Sequence, residues 1–351
     1  MPQILNTNEL VTVVRDNRIA PSFLRGRYFP TGPRDIFTTP KVFIERSDEG
    51  APAAPFVIPY SGAQLMDREG YTGESIEPAF INPSRDMTID QLMKKGIGET
   101  YYDTTVTPAD REQEYLADDL IYLETAVQRT QEWMCGQILT NGYVDCVVDA
   151  GGNRKVRLKY YGASFDNLIT FTGTWATYGI YKQISEACAD IDAQYGQLDL
   201  ILGANLVMPF LTDATILKLL DVRNANFGTL NPGQVQPDGT GFLGQMMFGG
   251  RQVNIFTYNA KATLYGASTA TSFIDPAKYV VLPSSGFGCT KFGAITQMEE
   301  EDRAFHTYAA EMVPRIITDP KSNARTIEMA SSCAPLPYKW DSWRVCQPTL
   351  V

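Results

Sequence analysis

Residues 107–142 read TPADREQEYLADDLIYLETAVQRTQEWMCGQILTNG and carry the clearest helical pattern in the chain. Thr107 can cap a helix, and Pro108 suits the first helical position, where its missing N–H costs nothing. Apolar residues then recur at spacings that place one stripe along a helix, and Asn141-Gly142 ends the pattern. The stripe consists of Leu116, Leu120, Leu123, Val127, Met134 and Ile138. The pattern predicts a helix over residues 108–140, roughly 50 Å long.

The polar face of this predicted helix is acidic. It holds seven acidic residues against two arginines, Arg111 and Arg129. The acidic residues are Asp110, Glu112, Glu114, Asp118, Asp119, Glu124 and Glu132. Two interpretations stay open: an ordinary solvated helix face, or a wall that repels an enclosed polyanion and keeps it mobile.

The first 40 residues predict an irregular arm. A short helix is expected over residues 8–14, and prolines and glycines then punctuate the segment too densely for regular structure. Such an arm has little core of its own. We expect it to be stable only where it lies on another surface, on this chain or on a neighbour.

Residues 41–99 predict strands joined by turns. The strand signals fall at residues 41–45, 56–60 and 74–81, with a turn-rich tip at residues 67–73. Two long paired strands without a covering helix are marginal alone, and their edges invite a partner. This pattern favours a hairpin that projects from the body, although an ordinary hairpin at a sheet edge is the alternative.

Downstream of the long helix, strands and helices alternate, which predicts a compact α/β unit. The expected elements are short strands within 143–171 around a turn at 149–153, a helix over 178–194, a buried strand over 198–202, a helix over 207–220, and strands at 253–258, at 273–281 and through most of 291–347. Residues 221–250 contain seven glycines, two prolines and three asparagines, and predict a long contact loop.

The composition excludes several classes of protein. The 351 residues include 30 basic and 40 acidic ones, for a net charge of −10, so the chain is a poor candidate for coating nucleic acid by phosphate neutralisation. Residues 1–4 lack the basic region of a signal peptide, and no apolar run reaches the roughly 18 residues of a membrane helix. We therefore expect folding in the cytoplasm and no membrane partner.

Catalytic constellations are absent from the sequence. His306 is the one histidine, so neither a His-based zinc site nor a Ser–His–Asp triad can be assembled readily. The carboxylates of Asp190 and Asp192 do not share a helix face. No CxxC pair occurs, and we interpret the cysteines as buried thiols: Cys135, Cys146, Cys188, Cys289, Cys333 and Cys346. The sequence thus predicts no enzyme, no cofactor and no metal.

Several runs resemble the lambda-like phage major capsid protein E family. They are PSFLR at 21–25, FTTPKV at 37–42, PYSG at 59–62, PAFINP at 78–83 and IEMASSCAPLP at 327–337. The order of arm, projecting hairpin, long helix, β body and α/β insert is also similar to the capsid fold of the Hong Kong 97 type. The resemblance covers most of the chain and is distributed, with no catalytic signature.

The resemblance implies an α+β capsid subunit. Its parts would be an N-terminal arm (1–40), an extended loop (41–99), a peripheral domain (100–177 and 261–351) that contains the spine helix (108–140), and an axial domain (178–260). Contacts between subunits would involve Asp67, Arg68, Glu69, Gly70 and Tyr71 at the hairpin tip, and Asn224, Asn226, Phe227 and Asn231 in the long loop.

The implied function is a major capsid protein located in the virion head. Copies would assemble in the host cytoplasm into pentamers and hexamers of an icosahedral shell, which encloses double-stranded DNA without sequence-specific binding. Scaffolding protein, portal and decoration protein are the expected partners. An encapsulin-like compartment around enzyme cargo is the alternative with the same fold, and a soluble enzyme of unknown type is the alternative from another class.

Overall fold

A computed structural model describes residues 20–47, 56, 70–89, 92, 108–147, 155–159, 167–169, 174–220, 228–230, 239–299, 303–319 and 324–349. Its α-helices are α1 (Phe23–Tyr28), α2 (Pro108–Asn141), α3 (Trp175–Tyr178), α4 (Ile180–Ala189), α5 (Ala204–Leu211) and α6 (Ala214–Leu220). Short 3-10 helices span Pro33–Asp35, Ala193–Tyr195 and Trp340–Ser342.

The strands are β1 (Val42–Ser47), β2 (Tyr71–Ile76), β3 (Ala79–Ile81), β4 (Ser84–Thr88), β5 (Tyr143–Val147), β6 (Lys155–Lys159), β7 (Leu168–Ile169), β8 (Leu198–Leu202), β9 (Gly228–Leu230), β10 (Thr240–Phe248), β11 (Arg251–Tyr258), β12 (Lys261–Thr263), β13 (Ala270–Ser272), β14 (Tyr279–Pro283), β15 (Gly288–Phe292), β16 (Ile295–Met298), β17 (Phe305–Tyr308), β18 (Val313–Asp319), β19 (Ala324–Pro337) and β20 (Arg344–Cys346).

The long helix α2 confirms the prediction from its apolar stripe. Four stripe residues, Leu123, Val127, Met134 and Ile138, are fully buried. The helix ends where Gly142 adopts a φ of 73°, a conformation that glycine adopts without strain, and the Gly142 N–H donates to the Ile138 carbonyl at 2.9 Å. No helix within the described residues is long and apolar enough to cross a membrane.

The largest sheet, which we call the central sheet, has the strand order β7-β20-β14-β8-β11-β10-β9. Strand β8 lies at its middle with all five residues buried, parallel to β11 and antiparallel to β14. One face packs against α3 to α6, and the other faces α1 and α2. The predicted α/β unit is therefore present, but the sheet also takes β7, β14 and β20 from outside residues 178–260. The division into axial and peripheral domains stays a prediction.

Two predicted helices are each broken in the structure. Gly179, with a φ of 88°, separates α3 from α4 within the helix predicted over 178–194, and α4 ends at Ala189. The helix predicted over 207–220 is α5 and α6. Asp213 divides them because its carboxylate accepts hydrogen bonds from the backbone of Thr215 at 2.9 Å and Ile216 at 3.0 Å, which caps α6.

The loop predicted over 221–250 is wrong for residues 228–230, which form β9 beside β10, and for its last part. Residues 240–248 form β10, which pairs with β11 through a turn at Gly249 and Gly250, both with positive φ. Leu243, Met246 and Phe248 are buried against the helical layer, and this burial outweighs the glycine content of the segment. Residues 221–227 and 231–238 lie outside the described residues.

A second sheet is built on the 14-residue strand β19. Strands β15 and β18 pair along one edge of β19, and β3 and β4 pair along the other. Ile327 and Met329 of β19 pack with Met87 of β4 against the first half of α2. The predicted strand content of residues 291–347 is confirmed.

Candidate assembly interface

The last part of the predicted arm, residues 20–40, belongs to the body of the chain. Leu24, Tyr28 and Phe29 are fully buried in the core that α2 shares with the central sheet. The prediction of an irregular segment with little core is therefore wrong for these residues. The many prolines in this segment argue against regular structure, but α1 is short enough to fit between Pro21 and Pro30. The short helix predicted over 8–14 lies outside the described residues.

The Glu132 carboxylate of α2 holds the start of α1. It is completely buried, and it accepts hydrogen bonds from the backbone N–H of Leu24 at 2.6 Å and of Arg25 at 2.8 Å. The Tyr258 hydroxyl of β11 donates to the same carboxylate at 2.7 Å. Ser22 makes no side-chain cap, so Glu132 supplies the acceptor that the first turn of α1 lacks.

A second buried carboxylate, Asp199 of β8, holds the end of α1. Arg27 donates to it through Nε at 2.6 Å, the Tyr28 hydroxyl at 2.8 Å and the Asn254 amide at 2.7 Å. Burial, and then the Asp199 charge, raises the pKa of Tyr28 well above its usual value, so the hydroxyl stays a donor. One short helix thus contacts two buried acids on two different elements.

Helix α1 also contacts the β19 sheet. The Arg25 guanidinium pairs with Glu311 at 2.5 Å, just before β18, and lies 5.8 Å from the ring centre of Phe292 in β15. The Thr290 hydroxyl donates to the Phe29 carbonyl at 2.9 Å. Residues 23–29 therefore sit at the junction of α2, the central sheet and the β19 sheet.

The base of the predicted hairpin is a two-stranded ribbon formed by β1 and β2. Its register runs from Val42↔Ile76 to Ser47↔Tyr71, so the predicted strand at 41–45 is confirmed. The predicted tip at 67–73 is wrong at its end, because residues 71–73 are already in β2. Of the strand predicted at 56–60, the structure describes Phe56 alone.

The two faces of this ribbon differ sharply. Val42, Ile44 and Ile76 are buried against the body, whereas Phe43 on the opposite face is 53% exposed. Phe56, which lies between the two strands in sequence, is fully exposed. Exposed aromatic rings are enriched at contact surfaces between proteins.

The sequence-predicted contact residues fall mostly outside the described part of the chain. Gly70 is exposed, with no atom within 4 Å of the position its Cβ would take, and Tyr71 pairs with Ser47 at the outer end of the ribbon. The remaining predicted contacts lie outside the described residues: Asp67, Arg68, Glu69, Asn224, Asn226, Phe227 and Asn231. Their role in assembly stays a prediction.

Where the structure describes it, part of the acidic face of α2 is occupied within the chain. Glu112 pairs with Arg325 of β19, and Asp119 pairs with Arg85 of β4 at 2.6 Å. The Arg85 guanidinium also stacks 3.8 Å from the ring centre of Tyr122. The placement of Glu132 on a solvated polar face is wrong, because that carboxylate caps α1.

The groups considered for chemistry have structural roles where the structure describes them. Asp190 pairs with Arg344, and Asp192 caps the 3-10 helix that follows it. Within the described residues, no three metal-ligating side chains cluster together. His306 lies in the exposed strand β17. The six cysteines are free thiols, and all but Cys146 are buried.

A family model and two solved structures, all of phage capsid proteins, are similar to this chain. The family model for phage major capsid protein E matches residues 6–344. A prophage protein of E. coli CFT073 described as a capsid protein superposes with a TM-score of 0.61 at 16% identity, over 98% of this chain and 95% of that chain. The mature capsid of bacteriophage PhiM1 gives 0.50 at 13% identity, over 96% and 90%. No curated protein sequence matches.

Proposed function

Because this chain belongs to the phage major capsid protein E family, we propose that its copies form pentamers and hexamers through the ribbon and the part of the predicted arm that precedes residue 20. The chain is a structural protein of the phage head and not an enzyme, and it works as a homo-oligomer that builds an icosahedral shell. Its fold is the Hong Kong 97-type capsid fold, with α2 as the spine helix.

The observation that carries the proposal is the exposure of Phe43 on the ribbon and of Phe56 in the sequence that connects its two strands. The ribbon buries one face against its own body and presents the Phe43 ring on the other. In the described residues β1 and β2 pair only with each other, and two-stranded ribbons are marginal without further support. A neighbouring subunit that covers these rings supplies that support.

Shell closure follows from contacts between unlike surfaces. A ribbon that lies on the next subunit forms a heterologous contact, and such contacts close into rings when the rotation per subunit divides a full turn. Five-fold and six-fold rings together close a shell. Each contact is modest, and repetition around the ring makes the assembly stable.

The enclosed polymer in this proposal is double-stranded DNA, held without sequence-specific contacts. The net charge of −10 supports this view, since an acidic subunit does not bind phosphates tightly and leaves the DNA mobile. Scaffolding protein, portal and decoration protein complete the proposed set of partners. Proposed assembly takes place in the host cytoplasm.

The test is a chain in which residues 49–69 are replaced by Ser-Gly-Gly-Ser, which keeps β1 and β2. We expect the variant to fold with an unchanged melting temperature, to sediment as a monomer, and to form no shells in negative-stain micrographs. The intact chain, expressed with and without a scaffolding protein, serves as the reference that does form shells.

A matched control shortens the connection between β5 and β6, with residues 149–153 replaced by Asn-Gly. This connection also joins two paired strands, and the sequence of residues 148–154 contains no aromatic residue. We expect the control to assemble. Shells of normal size from the chain without residues 49–69 would contradict the role given to the ribbon.

A further inference from the structure

We propose that Glu132 and Asp199 are positioning residues for assembly, which fix α1 and thereby the angle between α2 and the central sheet. The inference rests on the proposed function. Both carboxylates are completely buried, on elements that are far apart in sequence, and both accept hydrogen bonds from the same short helix.

The geometry assigns a separate task to each acid. Glu132 accepts the N–H groups of Leu24 and Arg25 and also the Tyr258 hydroxyl, so it ties α2 to α1 and to β11. Asp199 accepts Arg27 and Tyr28 and ties the middle of the central sheet to the other end of α1. Because α1 is held at both ends, it couples the orientation of α2 to that of the central sheet.

The aromatic residues around α1 make this arrangement rigid. Phe23 packs 5.3 Å from Phe256 and 5.5 Å from Tyr258 between ring centres, while Phe29 packs 5.3 Å from Phe287. These contacts fill the space beside the carboxylates, so α1 has little room for an alternative position. Loss of one acceptor therefore leaves a donor of α1 unpaired in a packed space, which destabilises the junction.

The consequence for the shell is geometric. The ribbon packs on the core that α1 and α2 share, whereas the helical layer of α3 to α6 packs in a separate core on the other face of the central sheet. The angle between α2 and the central sheet sets the angle between surfaces that meet neighbours. A small change in that angle, repeated at every subunit, changes the curvature and the diameter of the particle.

The substitution Glu132→Gln tests the first contact, because the amide places an N–H₂ group against a backbone N–H donor. We expect hydrogen exchange at Leu24 and Arg25 to rise about tenfold or more, as after loss of a charge-assisted hydrogen bond. At a temperature where the subunit is folded, we expect particles of mixed diameter or open sheets. Tyr258→Phe removes one donor only and serves as the milder variant if Glu132→Gln does not fold.

The substitution Asp199→Asn tests the second contact and has a rescue. Asn254 already faces position 199, so in Asp199→Asn combined with Asn254→Asp the new amide N–H₂ group at position 199 donates to position 254 and its amide oxygen still accepts from Arg27 and Tyr28. We expect the single variant to broaden the diameter distribution and the double variant to narrow it again. Gln245 and Gln197 donate to position 254 and tolerate a carboxylate there.

Leu206→Ala is the control for simple loss of stability. Leu206 is fully buried on the other face of the central sheet, away from α1. We expect this variant to melt earlier and still form particles of one diameter. Particles of unchanged diameter from Glu132→Gln, Tyr258→Phe and Asp199→Asn would overturn the inference, whereas failure of the unmodified chain to form shells would overturn the proposed function instead.

Discussion

Gly136 of α2 lies so close to the backbone of Phe273 that a methyl group on Gly136 would come within 2.2 Å of the Phe273 carbonyl oxygen. Phe273 is fully buried and follows β13 on the path back towards the central sheet. The close approach lets the second half of α2 pack directly against the main chain. It explains why a helix interior contains a residue that is unfavourable there by about 1 kcal/mol.

We expect Gly136→Ala to destabilise the chain, although helix propensity alone predicts the opposite. The oxygen belongs to the backbone and cannot move aside, so overpacking should lower the free energy of unfolding by about 1–3 kcal/mol. Urea unfolding of the unassembled chain measures this change in the free energy of unfolding. Gly26→Ala is the matched control: Gly26 is also helical but has no atom within 4 Å of its Cβ position, so this change should be neutral or stabilising.

Gln183 in α4 is completely buried, and among the described residues neither atom of its amide has a hydrogen-bond partner. We expect Gln183→Met to raise the free energy of unfolding by about 1–2 kcal/mol, because the unsatisfied amide no longer has to be desolvated. Gln131→Met is the comparison, since the Gln131 amide donates to Ser331 at 3.0 Å. The comparison variant should lose stability, and equal effects at both sites would contradict the explanation.

Alkaline pH should destabilise the subunit through its thiols. Burial raises the pKa of Cys333 to about 12, whereas the pKa of a cysteine thiol in the unfolded chain is about 8.5. Because the pKa of Cys333 is higher in the folded chain than in the unfolded chain, the buried thiol contributes stability that is fully present below about pH 8.5. That contribution is lost as the pH rises towards the pKa of the folded chain. For Cys333 the loss is about 1.4 kcal/mol per pH unit across that window.

Chemical unfolding at several pH values between 7 and 10.5 checks this expectation. Burial raises the pKa of Cys188 to about 12 as well, so the whole chain should show a steeper slope than one thiol accounts for. Cys333→Ala should be less stable at pH 7 but should flatten the slope. A free energy of unfolding that stays constant from pH 8 to pH 10.5 would rule out the mechanism.

Phe56→Ser should separate assembly from folding. The ring is fully exposed in the subunit, so its removal should leave the melting temperature within about 1 °C of the original, as expected for a surface change. If the ring contacts a neighbour, the yield of shells falls at least several-fold, since a buried aromatic contact contributes about 1 kcal/mol or more at an interface. Tyr265→Ser, at a side chain 76% exposed outside the ribbon, is the control that should assemble normally.

Local patterns in the sequence determined much of this fold. The apolar stripe, Pro108 and Gly142 together predict α2 almost to the residue, because helix periodicity and end signals act between residues within a few positions of one another. The short, mostly apolar run at 198–202 predicts β8, and this signal is also local in the sequence. The runs shared with the capsid family, in their order along the chain, indicate the fold class and the function.

Tertiary structure alone decided which acidic residues are solvated and which are buried. Glu132 belongs to the same acidic pattern as Glu124, yet it meets Leu24, whose N–H lies 108 positions away in sequence. The burial of α1 and the pairing of β10 likewise depend on partners distant along the chain. A hydrogen bond between remote segments produces no periodic pattern in the sequence, because its donor and acceptor obey no local spacing rule. Only the packing of the whole chain brings donor and acceptor together.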